Sequence, residues 1–415
     1  MPPRWVEPLA AALALREEPG LVLLESMPGF GHLGRRSFLA AGPVEVQTSG
    51  IEVFGEESGW RAGWLSYDLG RQIEKLPATA EDDLDLPPLA LGSYQAYLEF
   101  DPKRKEVHVR GDGDARHLRH ALDRAGSVAP LHRPLRSWTS SLSRFHYEEA
   151  VRRTIDYIRA GDAFQVNLAQ RLSTPWSGDP FALYAQLRRS SPAPFMALVR
   201  LGGADVISAS PERFLRRHGS AIETRPIKGT RPRGRTPGED RRLALALRAS
   251  EKDRAENVMI ADLARNDLGR VARYGSVRVR RLCALERHPG VHHLVSVVEA
   301  ELAPNIETAD IVRATFPPGS VTGAPKIRAM EIIEELEPVR RGIYCGSVGW
   351  IDTSGDLDLS VAIRTFVAAR GRLTLHVGGA VVADSDPALE WHETMHKAAR
   401  LLAAAGGELA ERVAA

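Results

Sequence analysis

The chain has 415 residues, 43% of them hydrophobic, which is enough for one large α/β or α+β domain, or two coupled ones, with a sizeable core. Lysine and arginine number 55 against 53 aspartate and glutamate, a formal +2, and that balance argues against a nucleic-acid groove and against a polybasic membrane surface. The apolar runs, such as residues 21–24, fall far short of the ~20 residues of a membrane span, and two cysteines, Cys283 and Cys345, make neither a zinc cluster nor a disulfide framework, so a cytoplasmic location is expected.

Up to about residue 135, strand-like runs at 21–25, 44–47, 97–100 and 106–110 are separated by Gly, Pro and acidic turns, which predicts a sheet-rich first region. The acidic, Pro-rich stretch 78–88 reads as a surface loop, and 130–144 reads as a connector that divides residues 1–135 from 136–415. After it the pattern predicts a helix over 147–160 and strands at 164–172, 196–199, 206–208 and 214–217. A charged helical stretch over 237–268 follows, then strands at 277–281, 344–352, 357–366 and 373–377 alternating with helices near 309–315, 324–336 and 387–404. Strands joined by turns such as Thr353-Ser354-Gly355, with helices between them, favour α+β with mainly antiparallel sheets.

Two literal motifs belong to other chemistries. Gly29-Phe30-Gly31-His32-Leu33-Gly34 has the G-x-G-x-x-G spacing of a pyrophosphate-binding turn. The residues after it, 35–41 and then Pro43, are too few for the helix that would hold the phosphates, so a plain Gly-rich turn is expected. His392-Glu393-Thr394-Met395-His396 is an H-E-x-x-H, which puts two imidazoles on one helix face as a zinc metalloprotease requires. Beyond it only Glu408 and Glu411 are available as a third ligand, and the protease stays as a remote alternative.

The same helix places Glu390, Glu393 and Lys397 on one face, and the preceding charged stretch carries Asp253 and Glu256 at a spacing of three. Two helices that each present an acidic pair can hold one Mg²⁺ through oxygens. Gly-rich turns at 319–323 and 378–380 add backbone N–H groups for an anion, and Arg364 and Lys397 add cations for a carboxylate. Only seven of the 55 basic residues are lysine, and an amine that can lose its proton is a candidate nucleophile in a way a guanidinium is not. The composite is an Mg²⁺-dependent enzyme acting on a small polycarboxylate.

The segments SPERF (210–214), TRPIKGTRPRG (224–234), AENVMIADLARNDLGRV (255–271), VHHLVS (291–296), FPPGSVTGAPKIRAMEIIEELEP (316–338) and VADS (382–385) closely resemble the chorismate-utilising enzymes. The likeness runs in collinear order over about 147–404, with GWLSYDLGRQIEKLP (63–77) as an earlier trace. It implies an α+β fold of two large, mainly antiparallel sheets flanked by helices, with the N-terminal region woven in and residues 136–415 as the chorismate-binding part. It further implies Glu256 and Glu393 as direct Mg²⁺ ligands, Asp253 and Glu390 acting through water, and the backbone at Gly378 and Gly379 joining the metal at the ring carboxylate. Tyr344, Arg364 and Lys397 would bind the enolpyruvyl carboxylate or its surroundings, while Gly229, Thr230, His293 and Ser320 would line the pocket. Ala380 departs from the family's usual glycine.

Two positions separate the branches of this family. The isochorismate and salicylate branch uses a lysine base where this chain has Gln165, a neutral amide that cannot take that role. The anthranilate branch carries alanine where this chain has Lys228, whereas the aminodeoxychorismate branch carries lysine. The resemblance therefore implies Glu212 as general acid and Lys228 as nucleophile, with anthranilate formation as the alternative. The Lys228 amine would need a depressed pKa, from burial or from Arg225 or Arg231, and Glu212 a raised one. Neither Cys283 nor Cys345 lies in a glutaminase elbow, so ammonia is expected from a separate glutamine amidotransferase subunit.

Overall fold

The structure is a computed structural model and describes residues 5–33, 35–55, 59–125, 137–407 and 409. Among these, one sheet of eleven strands and one of ten carry the architecture, and every ladder in both is antiparallel. The first sheet runs from Gly323–Ala324 through Gln165–Pro175, Arg372–Val381, Thr365–Ala369, Ala204–Ser210 and Phe195–Leu201. It continues into Val22–Glu25, Ser37–Ala40, Tyr97–Asp101 and Glu106–Arg110. The second runs from Ile227–Pro232 through Val291–Glu301, Ala221–Thr224, Arg213–His218, Leu357–Val361 and Ser347–Ile351 to Trp60–Leu65, Leu89–Tyr94 and Glu45–Gln47. Both sheets thus draw strands from the first 135 residues; the boundary itself lies outside the described residues. The sheets pack through Val22, Val199 and Val206 against Trp60, Trp64 and Val348, and the Trp64 indole donates to Leu201 O at 3.2 Å.

The chain crosses between sheets at two places that matter later. Ala204–Ser210 of the first sheet leads directly into Arg213–His218 of the second, with Glu212 in the crossing. Leu357–Val361 of the second leads into Thr365–Ala369 of the first, with Arg364 in the crossing at a left-handed φ of 53°. The expected single strand over 357–366 is therefore two, because that left-handed residue cannot continue a ladder.

Helices cover the outer faces. The charged stretch expected as one helix is two, Pro237–Ala249 and Glu251–Gly269. Ser250 takes an extended conformation (ψ 110°) and its hydroxyl accepts from the Asp253 amide, an N-cap that starts the second helix afresh. Pro387–Ala405 begins with Asp386 as cap and proline in the first turn, and ends at Gly406 with φ 74°. No helix among the described residues is long and apolar enough to cross a membrane.

Gly29-Phe30 leads into a short 3₁₀ turn over Gly31–Leu33, and the next element is the strand Ser37–Ala40, so among the described residues there the helix needed for pyrophosphate binding is absent; Gly34 lies outside the described residues. The 130–136 part of the expected connector, and Glu408 and Glu411 as possible zinc ligands, also lie outside them.

Candidate active site

Lys228 stands on a bulge at the end of the second sheet. Ile227 pairs with Val295 and Thr230 with His293, so Lys228 and Gly229 together oppose a single residue, and Gly229 supplies the φ of 86° that the extra residue requires. A β-carbon on Gly229 would meet Asp253 Cβ and Leu247 Cδ1 at 3.0 Å, so glycine also lets the helix approach. The helix is tied there by the buried Asn257, whose amide donates to Leu294 O at 2.9 Å and to Lys228 O at 3.4 Å. Burial pushes the Lys228 ammonium below its ordinary value and Lys397 pushes the same way, while Glu256 and Glu212 oppose them. Arg225 and Arg231 were the expected cationic neighbours, but Arg225 is paired with Glu286 at 2.5 Å and Arg231 with Asp253 at 3.0 Å, so that role falls to Lys397.

Glu212, in the first crossing, is 4% exposed. Burial pushes its carboxyl up to about 7, against the Ser320 hydroxyl, the Lys228 charge, the Ile227 amide at 3.4 Å and Arg364. A buried acid that keeps its proton near neutral pH therefore faces an amine that is easier than usual to deprotonate.

The acidic side chains gather on the far side of Lys228. Glu256 comes from Glu251–Gly269, and Glu390 and Glu393 from Pro387–Ala405. Burial raises the Glu256 and Glu390 carboxyls, and Glu393 adds like-charge repulsion to both. Burial also works against ionising Glu393, yet the Lys397 ammonium 2.7 Å away holds it below its ordinary value. Glu390 accepts from Ser385 Oγ at 2.7 Å, and Lys252 approaches it at 3.9 Å. Between them lies Gly379, where a β-carbon would stand 3.1 Å from Glu390 Oε2 and 3.9 Å from both Glu393 Oε1 and Lys397 Nζ. Lys397 also donates to Gly378 O at 2.8 Å. Asp253 is turned to Arg231. Among the described residues no three Asp, Glu, His or Cys side chains converge tightly enough to form a ready-made metal site; Asp253, Glu390 and Glu393 are each paired with a cation, Arg231, Lys252 and Lys397 respectively. The donor set itself, hard oxygens crowded around a residue without a side chain, suits a hard divalent cation.

Opposite the acids, Arg364 lies in the second crossing, where its charge reaches Glu212 and His293. Burial and Arg364 hold the His293 imidazole down at about 3, so it is a neutral ring, and it shares a 2.9 Å hydrogen bond with Thr230 Oγ1. Tyr344 stacks on His376 with centroids 4.9 Å apart, and a β-carbon on Gly378 would reach its hydroxyl at 3.0 Å. Ser320 sits in the 3₁₀ turn Gly319–Val321, within reach of Glu212.

The residues taken from the sequence thus fall in one region, with two further supports that it did not disclose. Arg341 is almost fully buried, bonds Glu337 in two places, and donates to Val321 O at 2.9 Å and Asn167 O at 2.5 Å. It lies over the Tyr67 and Tyr344 rings and so links the Ser320 turn to the strand that pairs with Gly378 and Gly379. Asn257 is the other, within a quoted segment but with nothing in its spacing to mark it. His392 and His396 of the H-E-x-x-H segment are both exposed.

The chain belongs to the chorismate-binding enzyme family, whose model matches residues 43–403. Its fold of two antiparallel sheets with flanking helices is that of the chorismate-utilising enzymes. The chain is 46% identical over 345 residues to aminodeoxychorismate synthase component 1 of Klebsiella aerogenes, covering 83% of this chain and 76% of that one. It is 40% identical over 435 residues to anthranilate synthase component 1 of Streptomyces coelicolor, covering 95% and 85%. Among solved structures, anthranilate synthase component I from Streptococcus pneumoniae TIGR4 matches with a TM-score of 0.80 and 31% identity over 91% of this chain and 93% of that one.

Proposed function

We propose that this enzyme converts chorismate and ammonia to 4-amino-4-deoxychorismate, the precursor of 4-aminobenzoate and folate, through a covalent intermediate on Lys228. The observation that carries the reading is a half-buried lysine on a bulge, beside a buried carboxyl pushed up to about 7, at the position where the resemblance gives the anthranilate branch an alanine. The neutral Lys228 amine attacks C2 of the ring as the diene shifts, and Glu212 gives its proton to the departing C4 hydroxyl, which leaves as water. Ammonia then attacks C4, the double bonds shift back and the lysine amine is expelled from C2, with the enolpyruvyl group retained. Both pKa displacements run in the direction these roles need.

Glu256 and Glu393 would hold Mg²⁺ directly, with Asp253 and Glu390 acting through water, and the ion would neutralise the ring carboxylate. Arg364 and Lys397 orient the second carboxylate, and Tyr344, Thr230 and the neutral His293 give the ring a polar wall without a further charge. Ammonia comes from a glutamine amidotransferase subunit, a reading supported by the word component in the relatives' names. The free thiols Cys283 and Cys345 suit a cytoplasmic enzyme.

The test is incubation with chorismate, Mg²⁺ and an ammonium salt, with the products resolved by chromatography. Aminodeoxychorismate without pyruvate release is expected. Anthranilate and pyruvate as the sole products would overturn the assignment.

A further inference from the structure

Asn257, one residue after Glu256, turns inward from the helix Glu251–Gly269 and is 1% exposed. A buried primary amide has two N–H donors and a carbonyl oxygen with two acceptor positions to satisfy, and each of the four has a neighbour here. Nδ2 donates to Leu294 O at 2.9 Å and, more loosely, to Lys228 O at 3.4 Å. Oδ1 accepts from the Ser296 hydroxyl and stands 3.7 Å from the Cys283 thiol. The Ser296 hydroxyl itself accepts from the Cys283 amide at 3.1 Å, so its own proton is left for Asn257 Oδ1 and fixes which way the amide points. One side chain thereby ties three strands of the second sheet, Ile227–Pro232, Arg278–His288 and Val291–Glu301, to the helix that carries Glu256.

The amide sits where the ladders break. Between the Ile227–Val295 and Thr230–His293 pairs the first strand bulges, and Lys228 lies in that gap. Asn257 spans it, with Lys228 O on one strand and Leu294 O on the other. Cys283 lies in a second irregularity, between the Arg281–Val297 and Ala284–Val295 pairs, at a left-handed φ of 50°. A bulge releases backbone from the regular rungs, and here a side-chain network holds what the rungs do not.

From this geometry we infer that Asn257 is the positioning residue of the nucleophile: it fixes the Lys228 backbone and so decides whether the lysine amine or ammonia takes C2 of the ring. The inference rests on the reading of Lys228 as nucleophile. With the bulge held, the amine occupies C2 and ammonia is left with C4. With the bulge loosened, C2 is open for part of the time and ammonia bonds there. The double bonds then shift, the C4 hydroxyl leaves as water with the Glu212 proton, and the new C2 ammonium returns a proton to Glu212. The product is the 2-amino compound. A small displacement suffices, since an error of about 1 Å at a reacting atom costs about 10²-fold in rate.

Three variants of the full chain test it. Asn257→Asp keeps the shape and the oxygen that Ser296 reaches, but sets a second oxygen in place of the donor against Lys228 O and Leu294 O. Ser296→Ala leaves the donor and removes the hydroxyl that orients it. Leu118→Ala opens a cavity in the helix Arg116–Arg124, which packs on Pro8–Ala14, and serves as a destabilised control. Each is mixed with chorismate and Mg²⁺ without ammonia, to time the adduct on the Lys228 peptide by mass spectrometry. Each is also run with an ammonium salt, to resolve 2-amino product, counted with any anthranilate, from 4-amino product by chromatography. Asn257→Asp should form the adduct about tenfold or more slowly and raise the ratio of 2-amino to 4-amino product about tenfold. Ser296→Ala should move the ratio the same way by about threefold, and Leu118→Ala should keep the wild-type ratio. An unchanged ratio in Asn257→Asp, or in Ser296→Ala where the aspartate variant does not fold, would overturn the inference and leave Lys228 as nucleophile. A shift in Leu118→Ala as large as in the other two would do the same. Absence of an adduct in wild type would overturn the Lys228 reading, and this inference with it.

Discussion

Replacing Glu212 by glutamine keeps the shape of the crossing residue and removes its charge. In the folded protein this carboxyl ionises at about 7, whereas in the unfolded chain it does so near 4.5, so between these values the folded state holds a proton that the unfolded state has released. Wild type therefore has this stability in full below about 4.5 and loses it as pH rises through 7, and the variant has nothing to lose there. At about 1.4 kcal/mol for each tenfold in proton affinity, the variant should gain about 2.5 kcal/mol over wild type between pH 5 and pH 8. Urea unfolding followed by tryptophan fluorescence at several pH values measures the difference, and other groups that titrate cancel between the two proteins. Turnover should move the other way, falling by about 10²–10⁴ because the C4 hydroxyl has lost its acid. For wild type, kcat/KM should decline above pH 7 as Glu212 gives up its proton. Parallel stability profiles for the two proteins, or wild-type turnover in the variant, would refute the reasoning.

Two other substitutions probe the supports. Gly229→Ala sets a side chain at φ 86° against Asp253 and Leu247, and should lower stability by about 2 kcal/mol in urea unfolding and reduce kcat, since the bulge aims the adjacent Lys228. Glu256→Gln should reduce Mg²⁺-dependent turnover by about 100-fold or more in a steady-state assay over a range of Mg²⁺, while His392→Ala on the exposed helix face should stay within about twofold of wild type. The opposite pattern would take the metal away from the acidic cluster.

How much of this was legible in the sequence depended on distance along the chain. Helical spacing placed Glu390, Glu393 and Lys397 on one face and put Asp253 near Glu256, because those relations are local. What brought the two helices together was not local: Glu251–Gly269 packs on Val291–Glu301 of the second sheet and Pro387–Ala405 on Arg372–Val381 of the first. Strands buried on both faces, such as Trp60–Leu65 and Leu89–Tyr94, have no polar alternation to mark them and escaped the pattern. The helical pattern over 250–268 was local too, and the Ser250 hydroxyl that accepts from the Asp253 amide is what starts that helix afresh. Arg364 looked like one more strand residue, although its left-handed backbone is what ends the ladder and turns the chain from one sheet to the other. Arg341 and Glu337 are four apart across a proline outside any helix, so their pairing had no periodic signature.

The central claim is that Lys228 forms a bond to the substrate. Enzyme mixed with chorismate and Mg²⁺ in the absence of ammonia, then digested and measured by peptide mass spectrometry, tests it most directly. The account predicts an adduct on the peptide containing Lys228, since the second displacement lacks its nucleophile. The adduct should be absent in Lys228→Ala, where ammonia attack at C2 gives some 2-amino product or anthranilate, and Lys228→Arg should be nearly inactive because a guanidinium stays protonated. No adduct in wild type, together with wild-type rate and product in Lys228→Ala, would contradict the claim and leave Lys228 as a charge in the pocket wall.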